Sequence, residues 1–264
     1  MYLTHFKMKQ QPFQVYPPIE GIFNHDMFSQ GKARLDYFIN QMSELALIIA
    51  DEGMGKSTLC RYFLHHVKQQ TCHAVFLSFT RLSSLSFLRL LVTQLGEVPG
   101  HHKDSLIQQI TKKLTALNTT TLVVIDDAHL LTDETLLDLR LLLSINQEIQ
   151  RIKFIFISNS TMKKRLKEFQ HTSLLGRCSL LCTLPVFNEN LTEEYIDFQV
   201  NFSGGSKAIF DHPIKNEIHQ YTHGSPRLIN HLATHCLISA AIKKASIIDQ
   251  LIFRQALKEC SLFV

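Results

Sequence analysis

The chain has 264 residues, 45% hydrophobic and 19% charged, with a formal net charge of +4. This is a globular composition with enough apolar material to bury the core of one large domain or two smaller ones. The mild positive charge permits an acidic partner without demanding one, and no run of about 18 apolar residues is present to span a membrane.

The opening residues, Met1 to Lys7, lack the apolar core of a signal peptide. The six cysteines include no C-x-x-C pair and lie mostly in apolar runs, as buried thiols of a reducing compartment do. Together these features predict a cytoplasmic protein. A loop rich in proline and aromatics (Pro12, Phe13, Tyr16, Pro17, Pro18) leads into a helical pattern over 28–42. Strand-like apolar runs recur at 45–50, 73–79, 121–126, 152–158 and 179–184. Helical patterns occupy 56–68, 83–96, 103–117, 133–146 and 161–169. Such alternation predicts a parallel sheet with right-handed crossovers, and a ligand beyond the carboxyl ends of its strands.

From 188 onward the strand signals stop. Asn190 or Thr192 is placed to cap a helix, Gly204 and Gly205 interrupt it, and helical patterns follow at 211–222, 226–243 and 248–260. The expected division is an α/β domain over 1–187 and a small all-helical domain over 188–264. In the first, residues 1–43 supply an N-terminal segment and a helix packed beside the loop described next.

That loop is Ala50-Asp51-Glu52-Gly53-Met54-Gly55-Lys56-Ser57-Thr58, set between an apolar strand and an amphipathic helix. It reads as the phosphate-binding pattern G-x-x-x-x-G-K-[ST], with Ala50 in place of the first glycine. Backbone N–H groups of residues 53–58 would surround a polyphosphate at the helix N-terminus. Lys56 would reach its β- and γ-phosphates, and the Ser57 hydroxyl would ligate Mg²⁺. Ala50 is compatible with the turn as long as its φ stays negative, whereas Gly53 and Gly55 allow close backbone approach.

Thr121 to Ile125 is an apolar strand that delivers two carboxylates, Asp126 and Asp127. Beside a phosphate loop, Asp126 would hold Mg²⁺ through water and Asp127 would orient and activate the attacking water. At the end of the 152–158 strand, Asn159 either holds that water against the γ-phosphate or caps the helix that follows. Arg177 either touches the γ-phosphate of a neighbouring subunit or is an ordinary surface arginine. His231 and His235 have the i, i+4 spacing of zinc ligands, but no third ligand accompanies them. Arg151, Lys153, Lys163, Lys164, Arg165 and Lys167 form either a phosphate-tracking patch or a solvated charged face.

Several segments resemble the ExeA/GspA/MshM-like branch of the AAA+ ATPases over nearly the whole chain. They are Met1-Tyr2-Leu3-Thr4-His5-Phe6 with Pro12-Phe13, Ile125-Asp126-Asp127-Ala128-His129-Leu130-Leu131, Leu139-Arg140-Leu141-Leu142 with Asn146, and His223-Gly224-Ser225-Pro226-Arg227-Leu228-Ile229-Asn230. The resemblance implies a three-layer α/β/α P-loop NTPase fold with a central parallel sheet, followed by a small all-helical AAA+ lid. It also implies that Arg227 is a sensor 2 residue on the nucleotide, Asn159 sensor 1 and Arg177 an arginine finger. The expected cofactors are ATP and Mg²⁺.

Departures from the family pattern are Ala50 for Gly, Asp127 for Glu and Asn159 for Gln, and all three fall on the nucleotide. By resemblance the chain is expected to form a homo-oligomer, a ring or a helical filament. Its ATP cycle would drive assembly of an envelope machine for type II secretion or pilus biogenesis, through an envelope-assembly partner protein. The alternative, by likeness of the same branch to TnsC/MuB-like proteins, is an ATP-dependent regulator that binds double-stranded DNA and recruits a transposase.

Overall fold

The computed structural model describes residues 1–67, 72–78, 81–117 and 119–260. Contacts divide the chain into two compact units. One holds Asp26–Glu52 with Lys56–Leu184, and the other holds Met1–His25, Gly53–Gly55 and Pro185–Val264.

The chain opens with a one-turn helix, α1 (Tyr2–His5), which belongs to the second of these units. The first unit then alternates helices and strands: α2 (Asp26–Asn40), β1 (Leu45–Ile49), α3 (Lys56–Val67), β2 (Cys72–Leu77), α4 (Ser84–Gln94), α5 (Lys103–Ala116) and β3 (Thr120–Ile125). It continues with α6 (Asp133–Ile149), β4 (Ile152–Ser158), α7 (Ser160–Arg165), α8 (Thr172–Leu175) and β5 (Cys178–Thr183). The five strands form one sheet in the order β2-β3-β4-β1-β5, and every pairing is parallel.

Each residue of β1 and of β4 is buried. That is why these strands read as continuous apolar runs, since helices cover both faces of a parallel sheet. Along β1 the side chains alternate between faces. Leu45, Leu47 and Ile49 join a core built with Phe87, Leu91, Ile110, Leu139 and Leu143 of α4, α5 and α6. On the opposite face α2 comes close to its neighbours: a Cβ on Gly31 would lie 2.9 Å from Leu59 Cδ2 and 3.3 Å from Cys182 Sγ. Three layers follow from this arrangement. The helix expected over 161–169 ends at Arg165, and a separate turn carries the chain to α8. Residue 79 of the second expected strand and residue 68 of the helix before it fall outside the described residues.

The second unit contains α9 (Glu189–Phe202), α10 (His212–Thr222), α11 (Pro226–Ile242) and α12 (Gln250–Glu259) around one apolar core. Asn188, Asp211 and Asp249 cap α9, α10 and α12 by accepting the N–H of Leu191, Ile214 and Ile252. Asn188 thus takes the capping role expected of Asn190 or Thr192. Thr192 is buried and its Oγ1 is hydrogen-bonded to His219 Nδ1 at 2.9 Å.

The N-terminal residues depart from the expected division. Met8 and Phe13 are buried in the helical core, Lys9 N donates to Ser203 O (2.8 Å), and Gln10 Nε2 donates to Phe202 O (2.9 Å). Residues 1–25 therefore complete the helical unit rather than the α/β unit, because their apolar side chains are buried there. None of the six cysteines is bonded to another. Among the described residues, no helix is long and apolar enough to cross a membrane.

Candidate nucleotide-binding site

The loop after β1 begins with Ala50, whose N–H donates to Ser158 O on β4 (3.2 Å). Ala50 is buried, and its φ is not among the positive ones, so the turn does not need a glycine there. Gly53 (φ 80°) and Gly55 (φ 83°) do occupy the left-handed region that an L side chain resists. Lys56 opens α3 and folds back, donating from Nζ to the carbonyls of Ala50 and Asp51, each at 2.7 Å. Burial pulls the Lys56 ammonium below its usual range, and Asp126, Asp127, Glu52 and Asp51 oppose that pull. The first turn of α3 holds no acidic residue of its own, and the positive end of its dipole faces the loop.

Asp126 follows the buried strand β3, and its N–H is bonded to Leu77 O (2.8 Å). Its Oδ2 accepts the Ser57 hydroxyl at 2.8 Å and its Oδ1 accepts the N–H of Asp127 at 3.0 Å. A hydroxyl and a carboxylate so paired form the hard oxygen donor set that Mg²⁺ takes, and Ser57 and Asp126 are the residues that would hold it. Asp127 is left-handed (φ 51°, ψ 39°) and starts a 3-10 turn, Ala128–Leu130. β4 lies between β1 and β3, so Asn159 emerges at the same edge of the sheet. Its Oδ1 accepts Thr161 N (3.0 Å) and Thr161 Oγ1 (2.5 Å), making Asn159 the cap of α7.

Arg177 is at the other edge. It precedes β5 just as Glu44 precedes β1, and Cys178 is in register with Leu45. Its Nη1 donates to Glu44 Oε2 (2.8 Å) and Leu143 O (3.2 Å), and its Nη2 to Ser144 Oγ (3.1 Å). Within its own chain, then, Arg177 does not join Lys56, Ser57 and Asp126. Asn146, part of the L-R-x-L-x-N-like segment, is buried in the same neighbourhood. Its Oδ1 accepts Arg151 N and Ile152 N (2.8 and 2.9 Å), and its Nδ2 donates to Ile152 O (3.1 Å).

Arg227 is exposed in the first turn of α11, behind Ser225 as N-cap and Pro226. Gly224 (φ 73°) sets this segment: a Cβ there would come within 1.9 Å of Phe187 O, and Phe187 N donates to Gly224 O (3.0 Å). Gly53, grouped with the same unit, lies against it, since a Cβ on Gly53 would be 2.7 Å from Arg227 Cβ. Asn230 accepts the buried Tyr195 hydroxyl at 2.7 Å, which gives that residue of the motif a packing role.

The basic cluster disperses. Lys153 is buried on β4 and caps α2, donating from Nζ to Phe38 O (2.9 Å) and Gln41 O. Burial holds its pKa below the usual range, with the Cys72 thiol acting in the opposite direction. Arg165 is bonded to Asp133 and to two main-chain carbonyls.

A parallel sheet with helices on both faces, a glycine loop and acidic strand end at its carboxyl edge, and a helical unit after it make up the P-loop NTPase fold. Residues 40–166 match the family described as AAA domain. The chain is 23% identical over 249 residues to the "General secretion pathway protein A" of Aeromonas hydrophila, matching 91% of this chain but 45% of that protein. It therefore spans less than half the length of that curated relative, and the resemblance to GspA-like AAA+ ATPases holds across most of it. Among solved structures it is similar to Cdc6p from Pyrobaculum aerophilum (TM-score 0.76, 15% identity, 93% of this chain and 70% of that one). It is also similar to the Aeropyrum pernix ORC1 protein in complex with DNA (TM-score 0.69, 16% identity, 94% and 69%). A third likeness is the Thermotoga maritima RuvB Holliday junction branch migration motor (TM-score 0.64, 16% identity, 94% and 73%). At such identities these likenesses concern the fold.

Proposed function

We propose that the chain binds Mg²⁺–ATP and hydrolyses it to ADP, forms a nucleotide-dependent homo-oligomer, and uses that cycle to drive assembly of an envelope machine of the secretion or pilus type. The observation that carries this reading is the meeting of Lys56, Ser57 and Asp126 at the carboxyl edge of the sheet, in a chain similar to a general secretion pathway protein. Residues 50–58 cradle the phosphates, and Ser57 and Asp126 hold Mg²⁺. Asp127 orients the lytic water. The Asn159 cap leaves its amide nitrogen as the group that faces that water. Arg227 reaches the phosphates, and Arg177 acts on the nucleotide of a neighbouring subunit after exchanging its Glu44 partner. The protein works in the cytoplasm on a membrane-side partner.

The second reading, an ATP-dependent DNA-binding regulator that recruits a transposase, draws on the structural likeness to an ORC1 protein solved with DNA. It loses ground because Lys153 is buried and Arg165 is engaged, which removes two charges from the patch that would track a phosphate backbone.

The test is electron microscopy of the purified protein with a non-hydrolysable ATP analogue, with and without duplex DNA, alongside phosphate release against a Lys56→Ala control. Rings or filaments that need nucleotide but not DNA, with turnover above the control, support the assembly reading. Assemblies that form only on DNA would replace it with the second.

A further inference from the structure

One guanidinium joins three pieces of the α/β unit. Arg165, the last residue of α7, donates from Nη1 to the carbonyls of His129 (2.9 Å) and Leu131 (2.8 Å), and from Nη2 to the Asp133 carboxylate. Those carbonyls belong to the turn that starts at Asp127, and α7 starts at Asn159. Asp133, in the first turn of α6, also accepts His171 Nε2 (3.1 Å) and Gln170 Nε2 (3.3 Å). The Arg165 hydrogen bond holds the Asp133 carboxyl below its usual range, with partial burial opposing it.

Asp127 needs such support. A non-glycine residue at φ 51° persists only where the surroundings hold it. Upstream it is held by the bond from its own N–H to Asp126 Oδ1. Downstream the turn is closed by Leu130 N to Asp127 O (2.9 Å) and then by Arg165. A planar guanidinium can meet two carbonyls and a carboxylate at once, whereas an ammonium is a single point.

We propose that Arg165 is a positioning residue: it fixes the turn that presents Asp127 and couples it to the helix that begins at Asn159. This rests on the ATP-hydrolysing reading above. A sequence run of basic residues hides it, because nothing in the run separates a solvated charge from one spent on a loop more than thirty positions away.

The experiment measures single-turnover phosphate release and the affinity of a fluorescent ATP analogue for the full chain, with Lys56→Ala as background. Arg165→Met should lower the release rate about 10- to 100-fold, as a misplaced catalytic group does. Affinity should change by less than about threefold, the pattern of an interaction felt only in the chemical step. Arg165→Lys should recover part of the rate. In an Asp127→Asn background, Arg165→Met should add nothing, because the group it positions is already disabled.

A rate unchanged in Arg165→Met overturns the inference alone. So does a loss that runs parallel in affinity and melting temperature and adds to Asp127→Asn, which is a general structural role. Release by the parent chain no greater than that of Lys56→Ala overturns the hydrolysis reading, and the positioning role with it. Should Arg165→Met fail to fold, Arg165→Lys carries the same comparison.

Discussion

The two edges of the parallel sheet use the same kinds of side chain to opposite ends. At the amino edge Glu44, Asn146 and Arg177 bond to one another's neighbourhoods and to main-chain groups, and Asn146 alone satisfies two N–H groups and a carbonyl. At the carboxyl edge Lys56, Ser57, Asp126 and Asp127 sit on a loop and a turn with left-handed backbone at Gly53, Gly55 and Asp127. The first edge is a fastener. The second holds polar groups and backbone N–H groups on left-handed backbone, a strain that clusters at functional sites. An arginine or asparagine acquires its meaning from which edge it serves and from how much of its hydrogen bonding is already spent.

Arg177 is where the comparison can be broken most forcefully. If it acts across a subunit boundary, Arg177→Ala should cut hydrolysis about a thousandfold, the scale of an arginine finger. Mixing Arg177→Ala with Lys56→Ala chains should restore turnover, since each supplies what the other lacks. If Arg177 is only a fastener, mixing restores nothing, and the loss follows the melting temperature.

Asn146→Ala sharpens the other side. It strands the N–H groups of Arg151 and Ile152 in a buried setting and should cost about 2 to 3 kcal/mol of stability. ATP affinity of the folded protein should stay unchanged; a change in affinity would mean the two edges are coupled. Denaturant titration with and without nucleotide measures both.

Ala50→Gly is the mildest test. Ala50 keeps a negative φ and bonds to Ser158, so glycine there should leave ATP affinity alone and cost about 0.5 to 1 kcal/mol through the unfolded chain. A marked gain in affinity would show that the alanine had compromised the phosphate loop.

Much of this was legible in the residues themselves. β1 and β4 are buried on both faces, so they appear as unbroken apolar runs, and the parallel fold follows from their alternation with helices. That Lys56, Ser57 and Asp126 lie together was readable because the glycine loop is local and the acidic strand end directly follows an apolar run. Partnerships over long separations were not. The bond from Arg177 to Glu44 spans 133 positions, and the burial of Met8 and Phe13 in the helical core depends on residues nearly 200 positions away. Lys153 looks like a surface charge in the sequence, yet the two carbonyls it caps end another helix altogether. Asn159 shows the limit of local reading: both roles were visible, and only the bond to Thr161 establishes that the cap is made.

The most direct measurement of the central claim is the shift in melting temperature on adding ATP, with and without Mg²⁺. A ligand that binds only the folded chain at about a hundred times its dissociation constant should stabilise it by about 2.7 kcal/mol. ATP should give a shift that Mg²⁺ enlarges, that Asp126→Asn reduces to its Mg²⁺-free size, and that Lys56→Ala abolishes. A parent chain that ATP does not stabilise, or a Lys56→Ala chain stabilised as fully as the parent, would contradict it.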